Sequence, residues 1–277
     1  MVHPPIIAAD ELALLLASAA DVVLLDARVN GYDAGHLNGA QRADLETQLS
    51  AAGDEGANPA HGGRHPLPPI DRWTQQLGAW GIGPETQVVI YDDQSGANAA
   101  ARAWWMLRAV GHERVSVLDG GIAAAVAAGF ELTTEVPVVE PRPPYPAEDW
   151  QRPTVDLLRV DALRNDARWK VLDVRSAERF RGETEPIDPI AGHIPGAVNL
   201  PFASNLEEGR FKSPPELRAM YDELLGDMPV DRLVVHCGSG VTACHTLLAL
   251  EAAGLEGAAL YVGSWGEWCR NDLPRES

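Results

Sequence analysis

With 277 residues the chain is long enough for two domains that each bury a core, and 22 basic against 40 acidic side chains give it a net charge of -18. That surplus repels phosphate backbones and anionic membrane surfaces, so no nucleic acid and no membrane is expected as a partner; no apolar run approaches the ~20 residues of a membrane span, and the opening MVHPPII, followed by Asp10 and Glu11, lacks a secretory pattern and points to a cytoplasmic protein. Three cysteines, Cys237, Cys244 and Cys269, are too few and too clustered for a disulfide framework or a metal site with the usual ligand spacing, so cysteine here serves chemistry or packing.

The first strand-like run, Leu24-Leu25-Asp26-Ala27-Arg28, leads into Ala34-Gly35-His36-Leu37-Asn38-Gly39-Ala40. A second, Val88-Val89-Ile90-Tyr91-Asp92, is followed by a helix-like apolar stretch ending at Gly111, and a further run reaches Gly120-Gly121. Residues 140–153 (EPRPPYPAEDWQRP) are proline-rich and unsuited to a helix or strand interior, which predicts an extended linker. Beyond it the same phrases return in the same order. Val171-Leu172-Asp173-Val174-Arg175 precedes Ala191-Gly192-His193-Ile194-Pro195-Gly196-Ala197, and Leu233-Val234-Val235-His236-Cys237 precedes a helical stretch ending at Gly254 and a run reaching Gly263-Ser264. Four recurrences in one order mark a duplication. Each half alternates short β-branched runs with amphipathic stretches, which predicts an α/β fold: two similar domains, each a mainly parallel sheet flanked by helices. The expected boundaries are a first domain over 1–139, the linker 140–153 and a second domain over 154–277.

Leu233 to Val235 reads as a buried strand and Thr242 to Ala253 as a helix, with Cys237-Gly238-Ser239-Gly240-Val241 between them. Two glycines allow a tight turn in which successive N–H groups converge on the sulfur at a helix N-terminus. Those dipoles favour a negative, nucleophilic sulfur, and a cradle of Gly238, Gly240, Val241 and Thr242 would equally hold a persulfide anion. A cysteine at a strand end is also a common packing residue. The first half decides between these readings: at the matching place it has Asp92, with Asp93, Gln94 and Ser95 before its glycine, so thiol and loop length are both lost there. One reactive domain and one silent copy are therefore expected. His236 should point to the face opposite Cys237, because strand side chains alternate, and is not the base. Cys244, about 10 Å along the helix from Cys237, is read as packing, as are Trp265 and Trp268.

The segment Cys237-Gly238-Ser239-Gly240-Val241-Thr242-Ala243 resembles the active-site loop of the tandem-domain rhodanese and 3-mercaptopyruvate sulfurtransferase family. Arg64-His65-Pro66-Leu67-Pro68, Gly192 to Ala197 and Gly263-Ser264-Trp265-Gly266-Glu267-Trp268 are similar to its other signature segments, and the likeness spans nearly the whole chain. It implies two rhodanese-like domains, the second catalytic. It also implies transfer of sulfane sulfur from 3-mercaptopyruvate or thiosulfate through a Cys237 persulfide to a thiol or cyanide acceptor. No cofactor is implied, since neither a metal-ligand cluster nor a dinucleotide fingerprint is present. A small anionic donor calls for a guanidinium; the resemblance assigns this role to Arg179, with Arg181 as a further candidate. It implies proton handling by Ser239 together with His36, reaching across from the silent half and oriented by Asp33. Against His36 stands His193, its equivalent in the other half. Mercaptopyruvate enzymes usually carry a second arginine shortly after the first, whereas residues 183–190 (ETEPIDPI) offer none. Thiosulfate-type enzymes have cationic residues just after the cysteine, where Gly238 and Ser239 stand. The neutral loop favours mercaptopyruvate. Two rivals differ in class. A cysteine-dependent phosphatase needs an arginine closing the loop, and Ala243 occupies that place. A persulfide carrier would load sulfur from a partner protein without turning over small donors.

Overall fold

The computed structural model describes residues 3–18, 21–97 and 99–277, which divide into two compact units. The first comprises the chain up to Leu49, Pro68–Gln151 and Gly209–Phe211; the second comprises Ser50–Leu67, Arg152–Glu208 and Lys212–Ser277.

In the first unit the elements run β1 (Ile6–Ile7), α1 (Ala9–Ala17), β2 (Val22–Asp26), β3 (His36–Leu37), β4 (Ala40–Arg42), α2 (Ile70–Ala79), β5 (Gln87–Tyr91), α3 (Ala100–Ala109), β6 (Val115–Leu118), α4 (Gly121–Ala127) and β7 (Leu132–Thr133). Its sheet has the order β1-β6-β5-β2-β4, with every pairing parallel. The second unit runs β8 (Thr154–Val155), α5 (Leu157–Leu163), β9 (Lys170–Asp173), α6 (Ala177–Phe180), β10 (Val198–Asn199), α7 (Pro214–Leu225), β11 (Leu233–His236), α8 (Thr242–Ala252), β12 (Ala259–Tyr261) and α9 (Ser264–Trp268). Its order is β10-β9-β11-β12-β8, again parallel throughout. Read from the β8 edge, this order repeats the first sheet strand for strand. The α/β class and the internal repeat expected from the sequence are both present. Central strands such as QVVIY and LVVH are buried at every position, as parallel strands covered by helices on both faces must be. Among the described residues no helix is long and apolar enough to cross a membrane.

Two segments behave differently from a simple halving of the chain. Residues 50–67 contain no helix or strand and are tied into the second unit, where Gly62 N donates to Glu267 Oε1 at 2.6 Å and Asn271 Nδ2 donates to the Ala60 carbonyl at 3.0 Å. The proline-rich stretch is extended, as its prolines require, yet it is docked on the first unit rather than loose. Arg142 N donates to the Gly78 carbonyl, Tyr145 N to Thr74 and Gln151 N to Ala109. Trp150 stacks against both Trp73 and Trp105, with ring centroids 6.4 and 6.3 Å away. Gly78 permits the approach, since a Cβ there would lie 2.6 Å from the Arg142 carbonyl oxygen. The indoles of an amphipathic region thus find apolar partners, which a free linker would leave in water.

Tyr145 from this stretch also places its hydroxyl 3.2 Å from His112 Nδ1. Burial pushes the fully buried His112 imidazole down to about 4 from an ordinary 6.5. The ring is therefore neutral in the folded protein, and its contribution to stability is complete above pH 6.5. As pH falls from there toward the folded-state value, the unfolded chain takes up a proton that the folded one refuses, at a cost of roughly 3 kcal/mol over the interval. Urea unfolding of wild type and His112→Gln at pH 7 and pH 4.5 checks this: the wild type should lose more stability between the two pH values. Equal losses would show that His112 does not set the acid limit.

Candidate functional site

Cys237 follows the carboxyl end of β11, the central strand of its sheet, where open parallel sheets place their reactive groups. It is 2 % exposed. Gly240 adopts φ +74°, and a Cβ there would lie 2.5 Å from the Val262 carbonyl oxygen, so only glycine lets the loop turn into α8. That helix begins at Thr242, immediately after Val241. Ser239 is buried beside the cysteine. The loop is held from the start of α9: Trp265 N donates to the Cys237 carbonyl at 3.0 Å and Gly266 N to the Gly238 carbonyl at 2.9 Å. Ser264 adds a contact that glycine could not. Its Oγ accepts from Cys237 N at 3.1 Å and donates to the Tyr261 carbonyl at 2.9 Å. Ser264 sits at φ +56°, a strained region for a residue with a side chain. Gly121 is its counterpart in the first unit, at φ +58°.

Below the loop lies a buried ion pair. Asp173 at the end of β9 receives Arg175 Nη2 at 2.6 Å and Nε at 3.0 Å, with neither side chain more than 1 % exposed. Burial penalises the Asp173 charge, but the charge and hydrogen bonds of Arg175 outweigh it and hold this carboxyl below its ordinary range. Burial likewise lowers the His236 imidazole and keeps it neutral. His236 stands 3.9 Å from Asp173, one position before the nucleophile candidate. Arg175 stacks over Trp265 at 4.9 Å and bonds Glu185 at 3.1 Å.

Glu185 in turn holds Arg179, through Nη2 at 2.6 Å and Nε at 3.2 Å. Burial would raise the Glu185 carboxyl, but the Arg179 bond and the Asp188 N–H keep it lowered and ionised. Arg179 is thereby aimed at the cysteine loop: a Cβ built on Gly238 would lie 3.4 Å from its Nη2 and 2.9 Å from Arg64 Nη2. Arg64 reaches this place from residues 50–67, with its Nε 3.2 Å from Asp188 Oδ1. Arg270 bonds the same oxygen at 2.8 Å. The segment ETEPIDPI therefore supplies carboxylates that position arginines, and the second cation beside Gly238 comes from far away in the chain.

Of the residues singled out from the sequence, Cys237, Gly238, Ser239, Gly240, Val241, Thr242 and Arg179 come together. Arg181 does not. It is half-exposed and paired with Glu183 at 2.7 Å, because the short α6 turns it away from the loop. His36, expected to act with Ser239, belongs to the first unit. Its ring is fully buried in the first unit, with Nδ1 3.0 Å from the Tyr32 carbonyl and Nε2 3.1 Å from that of Glu135. It stacks on Tyr32 at 4.0 Å. His193 repeats the arrangement, with Nδ1 2.7 Å from the Phe180 carbonyl and its ring 3.8 Å from Phe180. In each half the histidine thus places Nδ1 on a backbone carbonyl and its ring on an aromatic neighbour. Asp33 is exposed and lies 3.9 Å from Arg42 rather than orienting His36. Arg64, Glu185, Asp188, Ser264 and Arg270 escaped sequence reasoning. The traceable signals were the segment containing Arg64 and the exchange of Gly121 for Ser264 between the repeats.

The matching turn of the first unit carries its own carboxylate. Buried Asp92, at the end of β5, accepts through Oδ1 from Gln94 N at 2.9 Å and Gly96 N at 2.8 Å, and through Oδ2 from Ala100 N at 3.3 Å. A permanent carboxylate fills that turn, and N–H groups converge on it.

The chain is similar to known proteins along most of its length. The rhodanese-like domain profile matches residues 8–128 and 157–271. A probable 3-mercaptopyruvate sulfurtransferase of Pseudomonas aeruginosa is 44% identical over 95% of this chain and 94% of its own. A putative thiosulfate sulfurtransferase of Mycobacterium tuberculosis is 38% identical over 95% and 93% respectively. The solved 3-mercaptopyruvate sulfurtransferase of Leishmania major superposes with a TM-score of 0.81 at 32% identity, covering 97% of this chain and 75% of that one. The chain thus belongs to the rhodanese family, with one rhodanese-like domain in each half, and it is a sulfurtransferase.

Proposed function

We propose that Cys237 carries the transferred sulfur as a persulfide and that 3-mercaptopyruvate is the preferred donor. The observation that carries this reading is the convergence of the Cys237 loop with the Arg179 guanidinium, set against a sister loop closed by its own Asp92 carboxylate. The Cys237 thiolate attacks the donor sulfur; the S–S bond forms as the C–S bond breaks, and its electron pair goes to carbon. The thiol proton of the donor ends on that carbon, giving pyruvate and Cys237–S–S⁻. Ser239, in the same loop, handles the proton. An acceptor thiol or cyanide then takes the outer sulfur and regenerates the thiolate, completing a two-step cycle. N–H groups of Gly238, Gly240, Val241 and Thr242 stabilise the persulfide as those around Asp92 stabilise its carboxylate. The neutral Gly238-Ser239 pair and the name of the Pseudomonas relative favour the mercaptopyruvate donor. A cytoplasmic setting fits three free thiols.

Intact mass after incubation with each donor tests the reading. One added sulfur on Cys237, formed faster with 3-mercaptopyruvate and removed by an acceptor thiol, is expected. Faster loading from thiosulfate would overturn the donor assignment.

A further inference from the structure

We propose that Glu267 and Asn271 are positioning residues for sulfur transfer: from α9 they hold residues 60–64 in place against the cysteine loop. This rests on the reading of Cys237 as sulfur carrier, with the donor bound beside Gly238. Residues 51–66 close on themselves, Ala51 N donating to the Pro66 carbonyl at 3.0 Å, and they contain no helix or strand. Such a loop has no ladder to fix its course and takes it from whatever its backbone is bonded to. Here that is α9. Glu267 Oε1 accepts from Gly62 N at 2.6 Å, and Asn271 Nδ2 donates to the Ala60 carbonyl at 3.0 Å and to that of Glu267 at 2.9 Å. Two residues beyond Gly62, Arg64 reaches the cysteine loop. The same short helix holds that loop through the N–H groups of Trp265 and Gly266. It is therefore a bracket, carrying the nucleophile loop on its backbone and residues 60–62 on its side chains.

The contact is built around the carboxylate. Glu267 is buried, and its second oxygen fills space that only a glycine at 263 leaves open, since a Cβ there would collide with it. Gly63 makes the matching approach from the loop: it sits at φ +82°, and a Cβ on it would collide with the Gly263 carbonyl. Burying a carboxylate is costly, and the N–H donated by Gly62 offsets part of that cost with a short, charge-assisted bond. The silent half has neither side chain. There Gly120-Gly121 at the start of α4 correspond to Gly263-Ser264 at the start of α9, which puts Ala124 where Glu267 stands and Ala128 where Asn271 stands. A helix that only packs at this place does without the carboxylate and the amide, as α4 does. They are found in the half that carries the thiol.

Steady-state kinetics and limited trypsin digestion of wild type, Glu267→Ala, Glu267→Gln and Gly63→Ala provide the test. Glu267→Ala should raise KM for 3-mercaptopyruvate roughly tenfold while moving kcat far less, because the lost bond acts on donor binding and not on the sulfur. Glu267→Gln keeps an accepting oxygen and should recover most of the loss. Arg64 is the one trypsin site between Arg42 and Arg72, so cleavage after it, read by mass, reports release of the segment. That cleavage should be about tenfold faster in Glu267→Ala than in wild type, and close to the wild-type rate in Glu267→Gln. Gly63→Ala disturbs the contact from the loop and leaves α9 unaltered; it should reproduce both effects, and it decides alone if Glu267→Ala does not fold. Wild-type KM and wild-type trypsin resistance in a folded Glu267→Ala or Gly63→Ala would overturn the proposal. So would a fall in stability and kcat with KM unchanged, the mark of a merely structural role. Sulfur loading of Cys237 at saturating donor should survive in these variants, whereas loading that survives Cys237→Ser would sink the parent reading, whatever Glu267 does.

Discussion

Cys237→Ser is expected to abolish sulfur transfer from either donor, lowering turnover by roughly 1,000-fold or more. Serine fills nearly the same volume at a buried position and keeps the backbone bonds to Ser264 and Trp265, so the fold should survive. What is lost is the sulfur chemistry: an alkoxide is not formed at neutral pH, and no oxygen analogue of the persulfide would form. Loading measured by mass separates this from a general defect, since the variant should gain no sulfur while retaining a cooperative unfolding transition. Cys244→Ser and Cys269→Ser are the controls. Cys244 Sγ lies against the Gly240 carbonyl at 3.3 Å on the buried face of α8, and burial pushes the Cys269 thiol up, away from the nucleophilic thiolate. Both should load as the wild type does. Substantial turnover in Cys237→Ser would show that the sulfur travels another way.

The second large effect is on stability. Asp173→Ala should cost about 3–5 kcal/mol in the second unit, because it strands the Arg175 charge in the interior. Arg175 donates to Asp173 through N, Nε and Nη2 and also to the Gly192 carbonyl and Glu185. Loss of the pair should therefore loosen Arg179 as well, raising KM along with the instability. The pH dependence has a defined sign. Since the folded Asp173 carboxyl is held below its ordinary 3.8, the pair contributes fully above that value and is lost as pH falls through the depressed one. The first unit offers an internal comparison, for Asp26 receives Arg28 Nη2 at 2.6 Å and Arg28 reaches the Gly35 carbonyl at 2.6 Å. There Tyr91 takes the place of His236 and donates to Asp26 at 2.9 Å. Urea unfolding of Asp173→Ala and Asp26→Ala checks both, and a loss below about 1 kcal/mol would show that the buried pair is not stabilising.

That comparison also shows how much the repeated phrases encode. The Asp-x-Arg of each half is an ion pair under the loop, and the glycine-histidine phrase that follows supplies the carbonyl Arg28 or Arg175 binds. Both were legible as recurrences without any coordinates, although their meaning was not. His36 illustrates the difference: its type is legible in the sequence, and only the structure gives its surroundings, two carbonyls and a stacked tyrosine. The segment 183–190 misled in the opposite way, since a search for a second cation passed over Glu185 and Asp188, whose carboxylates place the cations that exist.

By itself the sequence determined the α/β class, the duplication, the loss of the thiol at Asp92 and the loop that holds Cys237. Those features are written in neighbouring residues, through strand and helix periodicity and through glycines that permit a turn. Tertiary structure alone decided which arginines face that loop. Arg64 and Asp188 are 124 positions apart, and no local pattern records that folding brings their opposite charges together out of water, where the attraction is strong enough to fix both side chains.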